Sequence, residues 1–208
     1  MKQFWHESIT DESFRFLHSL AKESDFVLIG GWAAYLHTRL QKSKDIDIVV
    51  DFEELRRLDA KFGISKNERL RKYEIKQGGF DIDVYVPGFS HLSYSPERIL
   101  ARHETIDGMK VAKQSQLLLL KLGAYSDRKG SEKGEKDAID IIGLLLSPKF
   151  GRADFLREAE FSSVKEPLAL LHEIASSFPE SALQFVGTDF VSFKKWRKEF
   201  LKIKSIYL

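Results

Sequence analysis

The chain has 208 residues, of which 43% are hydrophobic, 31% are charged and none is cysteine, and its formal net charge is +2. This length suits a catalytic unit followed by a helical unit, and the near balance of charge argues against a polyanion-coating surface or an acidic tail. The lack of cysteine excludes disulfides, zinc–thiolate sites and thiol catalysis, and it favours a cytoplasmic location.

In chain order, SFRFLHSLAKES first predicts an amphipathic helix, and residues 26–51 then predict a strand, a tight turn, a helix and a second strand. The first strand stops at Gly30 and Gly31, which permit unusual backbone angles and the close approach of a ligand. Because a helix follows, the glycines lie at its N-terminus, where free N–H groups favour an anion such as phosphate. In KDIDIVV, Asp45 and Asp47 alternate with apolar residues, so both project from one face of the strand.

A second acidic strand follows a short charged helix at 53–60. RKYEIKQ, a glycine pair and FDIDVYVP predict a hairpin, in which Asp81 and Asp83 alternate with apolar residues. A short helix opening at SPE and a small hairpin in ETIDGMKVAK complete this half of the chain. The pattern predicts two strands that each carry acids opposite an apolar face.

The second half changes to helical spacing, and we place a domain boundary near Ala112, giving units 1–112 and 113–208. The predicted helices of the second unit lie at about 115–127, 132–146, 152–160, 164–176 and 189–204. No stretch resembles a signal peptide or is apolar for long enough to span a membrane, so no membrane partner is expected.

The acids predict a metal site. Two carboxylates that share a site repel by about 4 kcal/mol at the dielectric of a protein surface, so converging acids require a cation. Oxygen ligands without cysteine or paired histidines favour Mg²⁺ or Mn²⁺, bound partly through the phosphates of a substrate. Two such ions support in-line displacement at phosphorus.

The spacing of these residues resembles that of a known family. A GG pair, thirteen residues, DID and a later DID strand are similar to the DNA polymerase β-like nucleotidyltransferase superfamily. LLLLKLGAYSDRKGSEKGEKDAIDIIGLL further resembles the KLxAxxDR…KDxxDL motif of its AbiEii-type branch, which includes toxins of abortive-infection and toxin–antitoxin systems. Together the motifs span residues 26–146. The resemblance implies an α+β fold, with a small mixed sheet flanked by helices and followed by a C-terminal helical bundle.

The first motif implies roles for five residues. Gly30 and Gly31 would bind the triphosphate of a nucleotide, and Asp45 and Asp47 would hold both metal ions. Asp83 would ligate one ion and help to deprotonate the attacking hydroxyl; we favour it over Asp81 because DVYV continues the strand beyond it, as in the family. The implied reaction transfers a nucleoside monophosphate from a nucleoside triphosphate to an acceptor hydroxyl of a tRNA, a protein or a small molecule, with release of pyrophosphate.

The second motif implies nucleotide binding by Lys121, Lys136 and Asp137, with Arg128 and Asp140 matched less closely. Lys121 and Arg128 share one helical face at i and i+7, where a cation could meet the triphosphate. The alternative for these residues is ordinary: Lys121 extends from a leucine-rich helix, and Lys136 and Asp140 form an i, i+4 pair on a solvated surface.

Other functions remain open at this point. A metal-dependent nuclease is disfavoured because the expected lysine does not follow Asp83 at the second position. A catalytically silent module that senses nucleotides or binds an antitoxin partner is the main alternative to the enzyme. The scattered histidines suit core or surface packing, although His37 and Arg39 lie near the site in sequence.

Overall fold

The computed structural model describes residues 3–202, and its sheet contains seven strands in the order β3-β4-β5-β2-β1-β7-β6. The strands are β1 (Val27–Ile29), β2 (Ile46–Val49), β3 (Ser65–Asn67), β4 (Lys72–Lys76), β5 (Asp81–Tyr85), β6 (His103–Ile106) and β7 (Met109–Ala112). The β2–β5 and β1–β7 pairs are parallel and the other neighbours are antiparallel. The sheet is therefore mixed, as predicted.

Helices flank the sheet and follow it. They are α1 (Glu7–Glu23), α2 (Gly30–Thr38), α3 (Phe52–Phe62), α4 (Pro96–Ala101), α5 (Gln114–Arg128), α6 (Glu132–Leu146), α7 (Arg152–Ala159), α8 (Pro167–Ser177) and α9 (Phe190–Phe200), with a 3-10 helix at Glu180–Phe185. The predicted fold class, a mixed sheet flanked by helices and followed by further helices, is confirmed. The last predicted helix extended to 204, and its Ile203 and Lys204 lie outside the described residues.

The centre of the sheet is built from the apolar faces of the two acidic strands. Ile46, Ile48, Ile82 and Val84 are fully buried, because alternation along β2 and β5 turns these side chains to one face and the acids to the other. Burial of each such side chain contributes about 2 kcal/mol, which makes a one-residue shift of either strand unfavourable. The core thus determines which way the acids point.

Helices α5 and α6 pack against each other and against α2, which connects the second half of the chain to the sheet. The buried apolar core runs without interruption from the strands into these helices. All strands in residues 3–202 precede Gln114. The division into two domains stays a prediction.

Two elements were not predicted. Strand β3 (Ser65–Asn67) consists of polar, largely exposed residues and pairs only with β4 at the sheet edge. The 3-10 helix Glu180–Phe185 is too short to show a helical repeat. No helix within residues 3–202 has the length and apolar character needed to span a bilayer.

Candidate functional site

The glycine pair opens α2 directly against the acidic strand β2. Gly30 has a φ of 68°, and a Cβ built on it would lie 2.0 Å from Oδ2 of Asp47. A Cβ on Gly31 would lie 2.4 Å from Oγ of Ser43. Only glycine fits at Gly30, because an L-residue would be strained by the positive φ as well as by the contact. The N-terminus of α2 and the Asp47 carboxylate are therefore neighbours.

Three acids form a row across neighbouring strands. Asp47 of β2 is in register with Asp83 of β5, and Asp83 is in register with Glu74 of β4. Residues in register on adjacent strands project from the same face, so the three carboxylates occupy one face of the sheet. We call Asp47, Asp83 and Glu74 the acid row.

The acid row is electrostatically perturbed. Burial, together with the carboxylates of Asp83 and Asp45, raises the pKa of Asp47 from the ordinary 3.8 to about 7. Burial also raises the pKa of Asp83, although the ion pair that Asp83 makes with Lys72 opposes this rise. Perturbed carboxylates of this kind concentrate at functional sites. At neutral pH, an additional cation would therefore lower the electrostatic energy of these carboxylates.

The remaining two predicted acids lie beside the acid row: Asp45 precedes Asp47 by two residues, and Asp81 precedes Asp83 by two. Oδ1 of Asp45 accepts a hydrogen bond of 3.1 Å from the backbone N–H of Asp81, which ties the start of β2 to the start of β5. The Asp81 carboxylate instead pairs with Lys76 at 2.7 Å, and its side chain is 42% exposed. Asp83, whose side chain is 17% exposed, is the β5 acid in register with Asp47.

A lysine that was not predicted as a site residue lies between two members of the acid row. Nζ of Lys72 lies 2.6 Å from Oδ2 of Asp83 and 3.0 Å from Oε1 of Glu74. Glu74 also accepts a hydrogen bond of 3.1 Å from the Asn67 side chain. In sequence, RKYEIKQ shows only the alternation of a charged edge strand, but the pairing of a predicted hairpin would have placed Lys72 and Glu74 beside the acids.

The second motif forms a buried ion cluster between α5 and α6. Nζ of Lys121 lies 3.1 Å from Asp137 and 2.8 Å from Asp140. Burial opposes the charge on Lys121, but the carboxylates of Asp140 and Asp137, with a smaller contribution from Asp47, hold its pKa above the ordinary value. Lys121 is thus a buried cation within electrostatic range of the acid row.

Two further cations complete this cluster. Nε of Arg128 lies 2.6 Å from Oδ2 of Asp137. Because Lys121 contacts the same carboxylate, Lys121 and Arg128 share a face of α5, as predicted. Lys136 pairs with Asp140, and their side chains are only 8% and 3% exposed. The alternative of a solvated Lys136–Asp140 surface pair is therefore excluded, because both groups lie inside the helical packing.

Tyr85 is a second residue near the acids that was not predicted as a site residue. It follows Asp83 by two positions on β5, and its register partner is Val49. Burial and the neighbouring carboxylates of Asp47 and Asp83 raise the pKa of Tyr85 above its ordinary value. Its place in the alternating pattern, on the face of the acids, was the available signal.

His37 and Arg39 make their contacts elsewhere. Nε2 of His37 lies 2.9 Å from the carbonyl oxygen of Ala112, and burial lowers the pKa of the histidine. Arg39 pairs with Asp107 at 2.7 Å, with both side chains more than two-fifths exposed. Both contacts belong to the region where α2 ends, whereas Gly30 and Asp47 meet where α2 begins.

Cavity volume does not identify this site. A cavity of about 440 Å³ lies among the helices, and Tyr125, Ile139, Ile174 and Phe178 are among its lining residues. None of the predicted acids lines it. Within residues 3–202, no three His, Cys, Asp or Glu side chains are already grouped as a metal ligand set. Register and charge, rather than a closed pocket, define the acid row.

No protein-family model and no curated protein matches the chain significantly. Among solved structures, the chain is similar to an antigenic nucleotidyltransferase-like protein from Paracoccidioides brasiliensis, at 18% identity and a TM-score of 0.44 over 85% of this chain and 92% of that one. It is also similar to JHP933 from Helicobacter pylori, at 16% identity and a TM-score of 0.42 over 95% of each chain. At these values neither structure bears on substrate or catalytic residues, and membership of the AbiEii-type branch stays a prediction.

Proposed function

We propose that the protein is a nucleotidyltransferase that transfers a nucleoside monophosphate from a nucleoside triphosphate to an acceptor hydroxyl. One observation carries this proposal: Asp47 and Asp83 stand in register on parallel strands, and Gly30 brings the N-terminus of α2 against Asp47. An anion-binding helix end is thereby joined to a pair of acids. That combination suits a metal-bound triphosphate better than it suits a neutral ligand.

The donor set of the site fits Mg²⁺ or Mn²⁺. The nearby side chains offer carboxylate oxygens, and the pKa of Asp47 is raised first by burial and then by the neighbouring carboxylates of Asp83 and Asp45. Asp45, Asp47 and Asp83 would hold the ions, which supply charge neutralisation and activation of the attacking hydroxyl when bound. Asp81 is the weaker candidate, because Lys76 already pairs with its exposed carboxylate.

Other residues of the chain would bind the phosphates, accept the proton and position the charged groups. The backbone at Gly30 and Gly31 binds phosphate oxygens through N–H groups of the first turn of α2. Asp83 accepts the proton of the acceptor hydroxyl as its oxygen bonds to the α-phosphorus, the bond from that phosphorus to the bridging oxygen breaks and pyrophosphate leaves. Lys121 contributes a fixed positive charge near Asp47, and Asp137 and Asp140 hold it in place. Lys136 and Arg128 secure those two carboxylates, so their role is positioning.

A silent nucleotide-sensing or partner-binding module is the second candidate. It is favoured by the ion pair between Lys72 and Asp83, which engages the proposed third acid. In such a module nucleotide would bind at the α2 N-terminus without reacting, and an antitoxin could be the partner.

The proposal is tested by incubating the protein with each nucleoside triphosphate, labelled at the α-phosphate, and Mg²⁺ or Mn²⁺, with total tRNA, a protein lysate or small hydroxyl compounds as acceptors. We expect label transfer by the wild type and none by an Asp45→Asn Asp47→Asn double variant. If the wild type binds nucleotide in a calorimeter but transfers no label to any acceptor, the sensing module replaces the enzyme.

A further inference from the structure

Lys72 contacts two carboxylates of the acid row at once. Its Nζ is 2.6 Å from Asp83 and 3.0 Å from Glu74, and the three side chains are 13%, 17% and 15% exposed, in that order. At this level of burial, water screens the charges only weakly, so each ion pair matters more than a surface pair. The Lys72 ammonium therefore forms ion pairs with two carboxylates that would otherwise repel each other.

The two carboxylates differ in what else they contact. Glu74 is additionally held by the Asn67 amide at 3.1 Å and by Nζ of Lys76 at 3.6 Å. Asp83 is in register with Asp47, on the side away from β4. Glu74 is thus fixed within the β3–β4 edge of the sheet, whereas Asp83 lies between Glu74 and Asp47.

We propose that Lys72 is a positioning residue that competes with the divalent metal for Asp83, and that Glu74 holds the Lys72 ammonium when the metal binds. This inference rests on the proposed function, in which Asp83 is a metal ligand. Because Nζ of Lys72 already contacts both carboxylates, the exchange needs only a small side-chain movement. The affinity for metal is therefore set by β4 as well as by the ligands themselves.

The competition makes opposite predictions for the two β4 residues. Removing the Lys72 charge frees Asp83, so Lys72→Met should bind Mn²⁺ about tenfold more tightly than the wild type. Removing the Glu74 charge leaves Lys72 with Asp83 as its main partner, so Glu74→Gln should bind Mn²⁺ more weakly by about threefold or more. Glu74→Gln is nearly isosteric, which keeps the test independent of whether Lys72→Met folds well.

Lys76 provides a matched control on the same strand and face. It pairs with Asp81 at 2.7 Å and lies 3.6 Å from Glu74, but its side chain is 60% exposed. Because Asp81 is not in register with Asp47, Lys76→Met should leave the Mn²⁺ affinity within about twofold of the wild type. The control separates a specific competition from a general change in net charge.

The measurement is a titration of each full-length variant with Mn²⁺ in the absence of nucleotide, in which electron paramagnetic resonance reports free Mn²⁺. We expect tighter binding in Lys72→Met, weaker binding in Glu74→Gln and no change in Lys76→Met. In an Asp83→Asn background, Lys72→Met should no longer tighten binding.

Three results would overturn the inference. Equal Mn²⁺ affinity in the wild type and Lys72→Met would show that Lys72 does not compete with the metal for Asp83. An equal gain in Mn²⁺ affinity in Lys76→Met and Lys72→Met would show that the change in net charge, rather than the contact with Asp83, causes the effect. Absence of Mn²⁺ binding in the wild type and in every variant would instead remove the metal site, and the proposed function would fail with it.

Discussion

Ionisation of the Asp47 carboxylate opposes folding of this protein. Its pKa rises from the ordinary 3.8 to about 7, with burial as the largest cause and the Asp83 carboxylate next. Replacement by asparagine keeps the size of the side chain and removes its charge. We therefore predict that Asp47→Asn is more stable than the wild type in metal-free buffer near pH 8.

The magnitude follows from the shift in pKa. Each pKa unit is worth about 1.4 kcal/mol, so ionised Asp47 costs the folded state at most about 4 kcal/mol. Water reaches the half-buried carboxylate, and its attraction to Lys121 is lost in the variant, so we expect a gain of about 2 kcal/mol. Because the folded pKa is raised, the wild type keeps its stability below about pH 4 and loses it as the pH rises through about 7.

The assay is urea denaturation in the presence of a chelator, at steps between about pH 5 and about pH 8. The gain of Asp47→Asn over the wild type should be small at the acid end and largest at the alkaline end. Asp81→Asn is the control, since that carboxylate is exposed and paired with Lys76; its stability relative to the wild type should not rise with pH. The electrostatic account of Asp47 would be refuted by an equal gain at every pH or by no gain near pH 8.

Two further predictions concern Gly30 and Lys121. Gly30→Ala should lower the free energy of unfolding by about 2 kcal/mol more than Gly63→Ala, because both glycines have a φ near +70° but only Gly30 faces the Asp47 carboxylate. Equal losses in urea denaturation would contradict the close approach at Gly30. Lys121→Met should cost about 3 kcal/mol, since it removes a shared partner from two buried acids. The exposed Lys129→Met should cost less than about 1 kcal/mol, and a similar cost for both would argue against a buried cluster.

Alternation along the strands was enough to predict the acid faces of β2 and β5. A period of two places Asp47 opposite the buried Ile46 and Ile48, and Asp83 opposite Ile82 and Val84, and no other register buries those apolar side chains. Alternation alone did not separate Asp81 from Asp83. That distinction depends on the β2–β5 register, which is a long-range pairing.

The role of β4 could not be anticipated in the same way. Lys72 and Glu74 look like solvated charges in RKYEIKQ, because burial of a polar side chain depends on what packs around it. Their contacts become visible only when β4 is paired with β5, which aligns Glu74 with Asp83. The strand register of a predicted hairpin is therefore needed, in addition to the ends of its strands, to identify such residues.

The residues of the ion cluster between α5 and α6 were selected in sequence through a motif. Their burial was not predicted. The i, i+4 spacing of Lys136 and Asp140 is equally compatible with a surface pair and with a buried one. Helix packing decides between them, and it encloses both side chains together with Lys121. Charged residues within a leucine-rich helix pair were the signal that favoured burial.

We propose that Asp83, through its register with Asp47, completes a catalytic centre for nucleotidyl transfer. The most direct test compares label transfer from nucleoside triphosphate by the wild type, Asp83→Asn and Asp81→Asn, with Mn²⁺ or Mg²⁺ and the acceptor found for the wild type. We expect the activity of Asp83→Asn to fall by about a hundredfold or more and that of Asp81→Asn to stay within about threefold of the wild type. Wild-type activity in Asp83→Asn, or a loss confined to Asp81→Asn, would contradict the claim.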